Sequence, residues 1–167
     1  MNVRSARSED LARIHYIYKC ARELMRESGN PTQWGDSYPS EELIAADLAG
    51  KNLYLLESFD TPDGAPLICG VFAFFPQGDP IYNNIEGKWL NSDPHSAIHR
   101  VASSGERKGV LTSCVEFCLS ISGNLKIDTH PDNKIMQRSL EKAGFTLCGR
   151  LTMPDGSTRL AYQRCDY

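Results

Sequence analysis

The chain has 167 residues, of which 41% are hydrophobic and 23% charged, with a formal net charge of −3. That length suits a single domain, 1–167, that buries about two-thirds of its unfolded surface without a covalent staple, and the apolar content excludes a disordered chain. No stretch gathers Lys and Arg into a stripe and no apolar run is long enough to cross a bilayer, so neither a nucleic acid nor a membrane is expected as partner.

In chain order, "VRSARSED" reads as a short strand, a turn and a helix start. Ser8 can cap that helix, and Glu9 and Asp10 suit its positive end. Leu11, Ile14, Tyr18, Ala21 and Met25 then fall on one helical face, until Gly29-Asn30-Pro31 ends the run. A loop with Trp34 and Tyr38 leads to a shorter helix opened by Pro39-Ser40-Glu41-Glu42 and closed near Gly50. "NLYLLES" and "PLICGVFAFF" predict two strands joined by a turn at Pro62-Asp63-Gly64. The second is apolar on both faces and should be central in a sheet.

Residues 76–96 hold Gly78, Pro80, Gly87 and Pro94 and read as one irregular connection, long enough to suggest function. "AIHRVAS" is a further strand. An apolar helix runs from about Val110 to Ile121. "LKIDTH" is a strand, and "DNKIMQRSLEKAGF" is a helix closed by Gly144. The last stretch is a hairpin turning at Pro154-Asp155-Gly156. The order β-α-α-β-β-β-α-β-α-β-β implies an α/β fold: a mixed sheet with helices on both faces, and a right-handed parallel crossover in the middle.

Six cysteines are present, with neither a C-x-x-C pair nor zinc spacing. No metal is expected. Reduced, buried thiols fit a reducing cytoplasm, and Met1-Asn2-Val3-Arg4 leads into charged sequence rather than a signal segment.

The stretch Ser104 to Thr112, "SGERKGVLT", precedes the apolar helix. A helix N-terminus offers unpaired N–H groups and a partial positive charge, glycine lets a ligand approach closely, and Arg107 and Lys108 add full charges. By themselves those nine residues read first as an ordinary polar turn into a helix. Their surroundings add weight to the phosphate reading, because a strand precedes them and "DTHPDNKIMQRSLEKAGF" follows one strand later.

From Ile98 to Phe145 the chain resembles the GNAT superfamily of acyl-CoA-dependent N-acyltransferases. "IHRVAS" is similar to the family's central strand, "ERKGVLT" to its pyrophosphate loop, and the late helix to the one that Asn opens and Gly-Phe ends. The loop is shorter than the family's, with Gly109 retained and Leu111 at the next glycine position. The resemblance implies a mostly antiparallel sheet with one parallel strand pair that splays apart. It implies acetyl-CoA as co-substrate: backbone from Val101, Ala102 and Ser103 would hold the pantetheine arm, and Arg107, Lys108, Gly109, Val110, Leu111 and Thr112 the pyrophosphate. Asn133 would contact the arm from the opposite wall. His99 would be the catalytic base, and Leu140 stands where many members carry a tyrosine acid.

The acceptor implied is a primary amine, of a small molecule or a peptide. It would sit among Trp34, Tyr38, Tyr82 and Trp89, with Glu86 as anchor for its ammonium. A homodimer fits the resemblance. A non-catalytic acyl-CoA-sensing module of the same fold is the alternative. His130 with Asp128 could form a relay, but His130-Pro131-Asp132 reads more simply as the loop shaping a helix start.

Overall fold

The computed structural model describes residues 1–166. Eight strands form one sheet. They are β1 (Asn2–Ser5), β2 (Leu53–Ser58), β3 (Leu67–Phe75), β4 (Glu86–Gly87), β5 (Ser96–Ser103), β6 (Asn124–Thr129), β7 (Thr146–Thr152) and β8 (Thr158–Cys165). Four helices accompany them: α1 (Leu11–Glu27), α2 (Glu41–Ala49), α3 (Val110–Ile121) and α4 (Lys134–Lys142). The spatial order is β1-β2-β3-β5-β6-β8-β7-β4, and every neighbouring pair is antiparallel except β5 and β6.

The sequence reading finds every element except β4. Residues 76–96, expected to be irregular, contain a 3-10 turn at Pro80–Asn83 and the two residues of β4, which pair with Arg150 and Gly149 of β7. Two residues between Asn84-Ile85 and Lys88 carry no alternating pattern to read.

Side-chain alternation builds two cores on opposite faces of the sheet. Val71 and Ala73 of β3 face α1 and α2, where they meet Ile14, Ile17 and Ile44. Phe72 and Phe74 face the other way, against Cys114 and Cys118 of α3 and Leu140 of α4. This is why β3 reads as apolar throughout. A third cluster, of Tyr82, Ala97, Leu151 and Ala161, lies under the connection that carries β4.

The ends of the helices follow local chemistry. Ser40 caps α2 by accepting from the Leu43 amide, and Asn133 caps α4 by accepting from the Met136 amide. α3 has no side-chain cap; its N-cap is Gly109, at φ +86°. That left-handed conformation costs any other L residue about 1–2 kcal/mol, so the glycine is tied to the backbone geometry here.

Candidate functional site

The parallel pair opens almost as soon as it forms. β5 and β6 are in register only at Ser96 with Leu125 and Ala97 with Lys126, although both strands run on for several residues. A bulge in β5 lies just beyond. Val71 faces Ala102 and Ala73 faces His99, so Arg100 and Val101 share one partner position on β3. Such an insertion bends a strand and leaves backbone groups out of the ladder.

Arg100 adopts φ +53° at the bulge. That conformation is unfavourable for a non-glycine residue. It is offset by a two-pronged ion pair, Nε and Nη2 each 2.8 Å from a carboxylate oxygen of Asp47 in α2. Both side chains are nearly buried, and Phe75 lies under the guanidinium at 5.6 Å. The ion pair pins α2 to the bulge and so fixes how β5 leaves β6.

Three adjoining cavities lead from the start of α3, along β5, to the split. The outermost, about 780 Å³, is lined by Arg107, Gly109, Thr112 and Lys142 at the start of α3 and the end of α4. It shares Ser103, Val110, Leu111 and Ser139 with an apolar groove of about 150 Å³. Leu24 and Met25 of α1 and Ile135 and Met136 of α4 wall that groove. The groove in turn shares Val101, Asn133 and Met136 with a polar chamber of about 580 Å³ that holds His99.

At the outer end, the first intrahelical bond of α3 runs from the Ser113 amide to the Gly109 carbonyl at 3.0 Å. The amides of Val110, Leu111 and Thr112 therefore stand ahead of it, at the positive end of the helix. Among the described residues, nothing lies within 4 Å of the place a Gly109 side chain would occupy. Of the two expected cations, Lys108 is exposed. Arg107 is partly committed, its guanidinium donating to the carbonyls of Asp60 and Glu106. Lys142 lines the same cavity and was invisible to the motif, because it arrives from another helix.

In the chamber, Nε2 of His99 is 2.9 Å from Oδ2 of Asp79, and Nδ1 is 3.9 Å from Oδ1 of Asp128. The hydroxyl of Tyr82 donates to that same Asp128 oxygen at 2.9 Å, and its ring stacks on the imidazole with centroids 5.8 Å apart. The hydrogen bond from His99 holds the Asp79 carboxyl below the usual carboxylate range. Burial pushes the Tyr82 hydroxyl well above its ordinary value, so it stays a donor. Carrying the β5–β6 register forward sets His99 level with Asp128, which is why these two meet. Asp79 comes from the loop after β3, twenty residues away, with no local signal to mark it.

The expected aromatic wall is only half there. Trp34 and Tyr38 line the chamber, and Trp34 packs edge-on against Tyr18. Tyr82 is fully buried behind His99. Trp89 covers Tyr82, with Lys126 of β6 over its ring at 4.0 Å. Glu86 is exposed on β4, in register with Arg150, and does not reach the chamber. The opposite wall is instead the β7–β8 hairpin tip, Met153 to Asp155, with Arg159.

Asn133 sits where groove and chamber meet, with both side-chain groups engaged. Oδ1 caps α4, and Nδ2 donates to Gln33 at 3.0 Å. Gln33 also accepts from Asn30 at 2.7 Å, so the loop carrying Trp34 is tied to the start of α4. Leu140 is wholly buried in the α3–α4 core and offers the site nothing. His130 accepts from the Asp132 amide at 3.1 Å, as a loop-shaping residue does.

No family model matches the sequence, and no curated protein does. Solved structures match over almost the whole chain. An acetyltransferase of the GNAT family from Streptococcus agalactiae is 25% identical, with a TM-score of 0.86, covering 99% of this chain and 95% of that one. Another from Listeria monocytogenes is 20% identical, with a TM-score of 0.68, over 99% and 94% of the two chains. The aminoglycoside acetyltransferase AAC(6')-Ib, solved with coenzyme A and kanamycin, is 19% identical, with a TM-score of 0.59, over 98% and 94%. With its one parallel pair parting after two paired positions, the molecule has the acetyltransferase fold these proteins share. By that fold the chain belongs to the GNAT superfamily. No helix among the described residues is long and apolar enough to cross a membrane.

Proposed function

We propose that this chain moves an acetyl group from acetyl-CoA to a primary amine, that of a small molecule, by direct attack of the amine on the thioester. The observation that carries the reading is the parted β5–β6 pair, with free helix amides at one end of the channel and His99 at the other. Solved relatives of this fold with coenzyme A bound support the co-substrate, and the kanamycin complex supports a small-molecule acceptor.

The cavities fit the three parts of that co-substrate. Pyrophosphate would lie against the amides of Val110 to Thr112, with Arg107, Lys108 and Lys142 near and Gly109 leaving the approach open. The pantetheine arm would cross the apolar groove along the backbone of Val101, Ala102 and Ser103. The bulge at Arg100–Val101 would turn a backbone donor toward the thioester oxygen, where negative charge builds as the amine adds. Asn133 would shape the wall there, since its own side chain is engaged.

The amine must be neutral to attack. The hydrogen-bond network assigns the His99 proton to Nε2, given to Asp79, which leaves the lone pair on Nδ1. Nδ1 would take the amine's proton, directly or through water. The imidazolium then formed would lie between two carboxylates, Asp79 and Asp128. Stacking on Tyr82 and the hydrogen bond to Asp79 hold the ring in one orientation, which is most of what a positioned base requires. Trp34 and Tyr38 offer aromatic faces to the acceptor's cation.

Release of free CoA thiol across a panel of primary amines tests the reading. Acceptor-dependent release is expected, and its loss in His99→Gln would support the assigned base. The buried Leu140 and the committed Arg107 favour one competing reading, an acyl-CoA-sensing module. That module would bind acetyl-CoA and release no thiol with any amine.

A further inference from the structure

The reading above leaves the departing thiolate without a donor, because Leu140 is sealed in the core. Thr129, the last residue of β6, supplies an unexplained hydroxyl at the right place. The residue is 1% exposed, lines the chamber, and its Oγ1 has no hydrogen-bond partner among the described residues. A buried hydroxyl without a partner is costly and uncommon in folded proteins.

Its location follows from the register. Ser96 pairs with Leu125 and Ala97 with Lys126, so three more steps set Thr129 level with Arg100, across the gap from the bulge. Alternation along β6 puts Thr129 on the same face as Leu125 and Ile127, the face covered by α3 and α4, and Asp128 on the other, toward His99. A thioester threaded through the gap would have bulge backbone on one side and this hydroxyl on the other.

We infer that Thr129 is a catalytic residue that donates its Oγ1 hydrogen bond to the thioester sulfur and holds the thiolate as it leaves. This rests on the acetyl-CoA reading. In the step, the amine nitrogen forms a bond to the carbonyl carbon and the carbon–sulfur bond breaks. The bonding pair leaves on sulfur, and the amine's proton goes to His99. Thr129 keeps its own proton, since an alcohol is a far weaker acid than a thiol. The products are the amide, a hydrogen-bonded thiolate and a protonated imidazole, and solvent then exchanges the proton from His99 to sulfur.

Other groups bordering the gap would act on the same sulfur and must be separated from Thr129. His99, Asp79 and Asp128 lie toward the opposite face, Arg100 is locked to Asp47, β8 and its hairpin bring Arg159 and Asp155, His130 follows Thr129 in the chain, and α4 presents its N-terminus and the neutral Asn133, Met136 and Ser139. None of these changes when Thr129 becomes valine, which has the same shape and no donor.

The test is ultraviolet titration of the thiol of CoA bound to the purified protein, alongside thermal unfolding of the free protein. Thr129→Val is expected to raise the pKa of the bound thiol by about one to two units relative to the parent, and Thr129→Ser to leave it near the parent value. In the free protein the valine should unfold about 2–4 °C higher, because an unsatisfied buried hydroxyl has been removed. CoA bound with an unchanged thiol pKa in the valine variant would overturn the inference, as would a lower unfolding temperature, which would mean the hydroxyl already has a structural partner. If the parent protein binds no CoA at all, the acetyl-CoA reading itself fails, an outcome distinct from either.

Discussion

His99 and Gly109 mark the two ends of the proposed path, and each makes its own prediction. His99→Gln keeps a hydrogen bond to Asp79 but has no basic lone pair. Turnover with any accepted amine should fall by about 10²–10⁴-fold while acetyl-CoA affinity stays within a factor of two or so. An unchanged rate would remove His99 as base. Gly109→Glu puts a carboxylate beside the helix amides and forces a left-handed glutamate. CoA affinity should drop by about tenfold or more in calorimetry, and equal affinity would mean that the phosphates bind elsewhere. Both residues could be read from sequence, one as a histidine in a central strand and the other as a glycine before a helix. Their partners could not. Asp79, Lys142 and Arg159 reach the channel from distant segments, and nothing local distinguishes them from solvated charges. Tyr82, Trp89 and Glu86 illustrate the converse error: aromatic and acidic residues in a long loop suggest a pocket wall, yet the first two pack inward to support His99 and the third stays outside.

Among the elements, the bulged β5 carries a left-handed non-glycine residue with a clear compensation. Arg100 holds an unfavourable φ because Asp47 clamps its guanidinium. Arg100→Met should cost about 3–5 kcal/mol in urea unfolding, since it strands a buried carboxylate. The double variant Arg100→Met/Asp47→Leu should recover much of that. Additive losses would mean the two side chains act separately. The strand itself was legible, because "AIHRVAS" alternates and is apolar. The bulge was not, as neither a glycine nor an asparagine marks the left-handed position. At the other edge of the sheet, Arg4 bonds Asp10 through two nitrogens, at 2.8 and 2.9 Å, and Glu57 at 2.6 Å, tying β1 and β2 to the start of α1. The bond to Arg4 holds the Asp10 carboxyl below its ordinary range. The folded chain therefore takes up that proton less readily than the unfolded chain. The stabilisation is full above the unfolded pKa of about 3.9 and disappears as pH falls through the lower folded value. Asp10→Asn should lower the unfolding midpoint at neutral pH and flatten its decline on acidification; a parallel decline would contradict this.

At the scale of the whole molecule, the order of elements was legible because each core has its own period: two in the strands, near four in the helices. β4 escaped, being two residues long and held by its partner strand rather than by its own pattern. The channel could be read only in part. The end at the start of α3 follows largely from one contiguous stretch, with Lys142 added from α4, but the chamber is assembled from residues between 25 and 159, and its shape depends on loop packing that no local rule determines. The central claim is that one continuous channel, entered at α3 and passing between β5 and β6, takes an acyl-CoA. Calorimetric titration with acetyl-CoA addresses it most directly. The expected result is saturable binding at one site per chain, tighter than about 1 mM, with a negative heat-capacity change from the buried apolar arm. Titration that never saturates in that range would contradict the account.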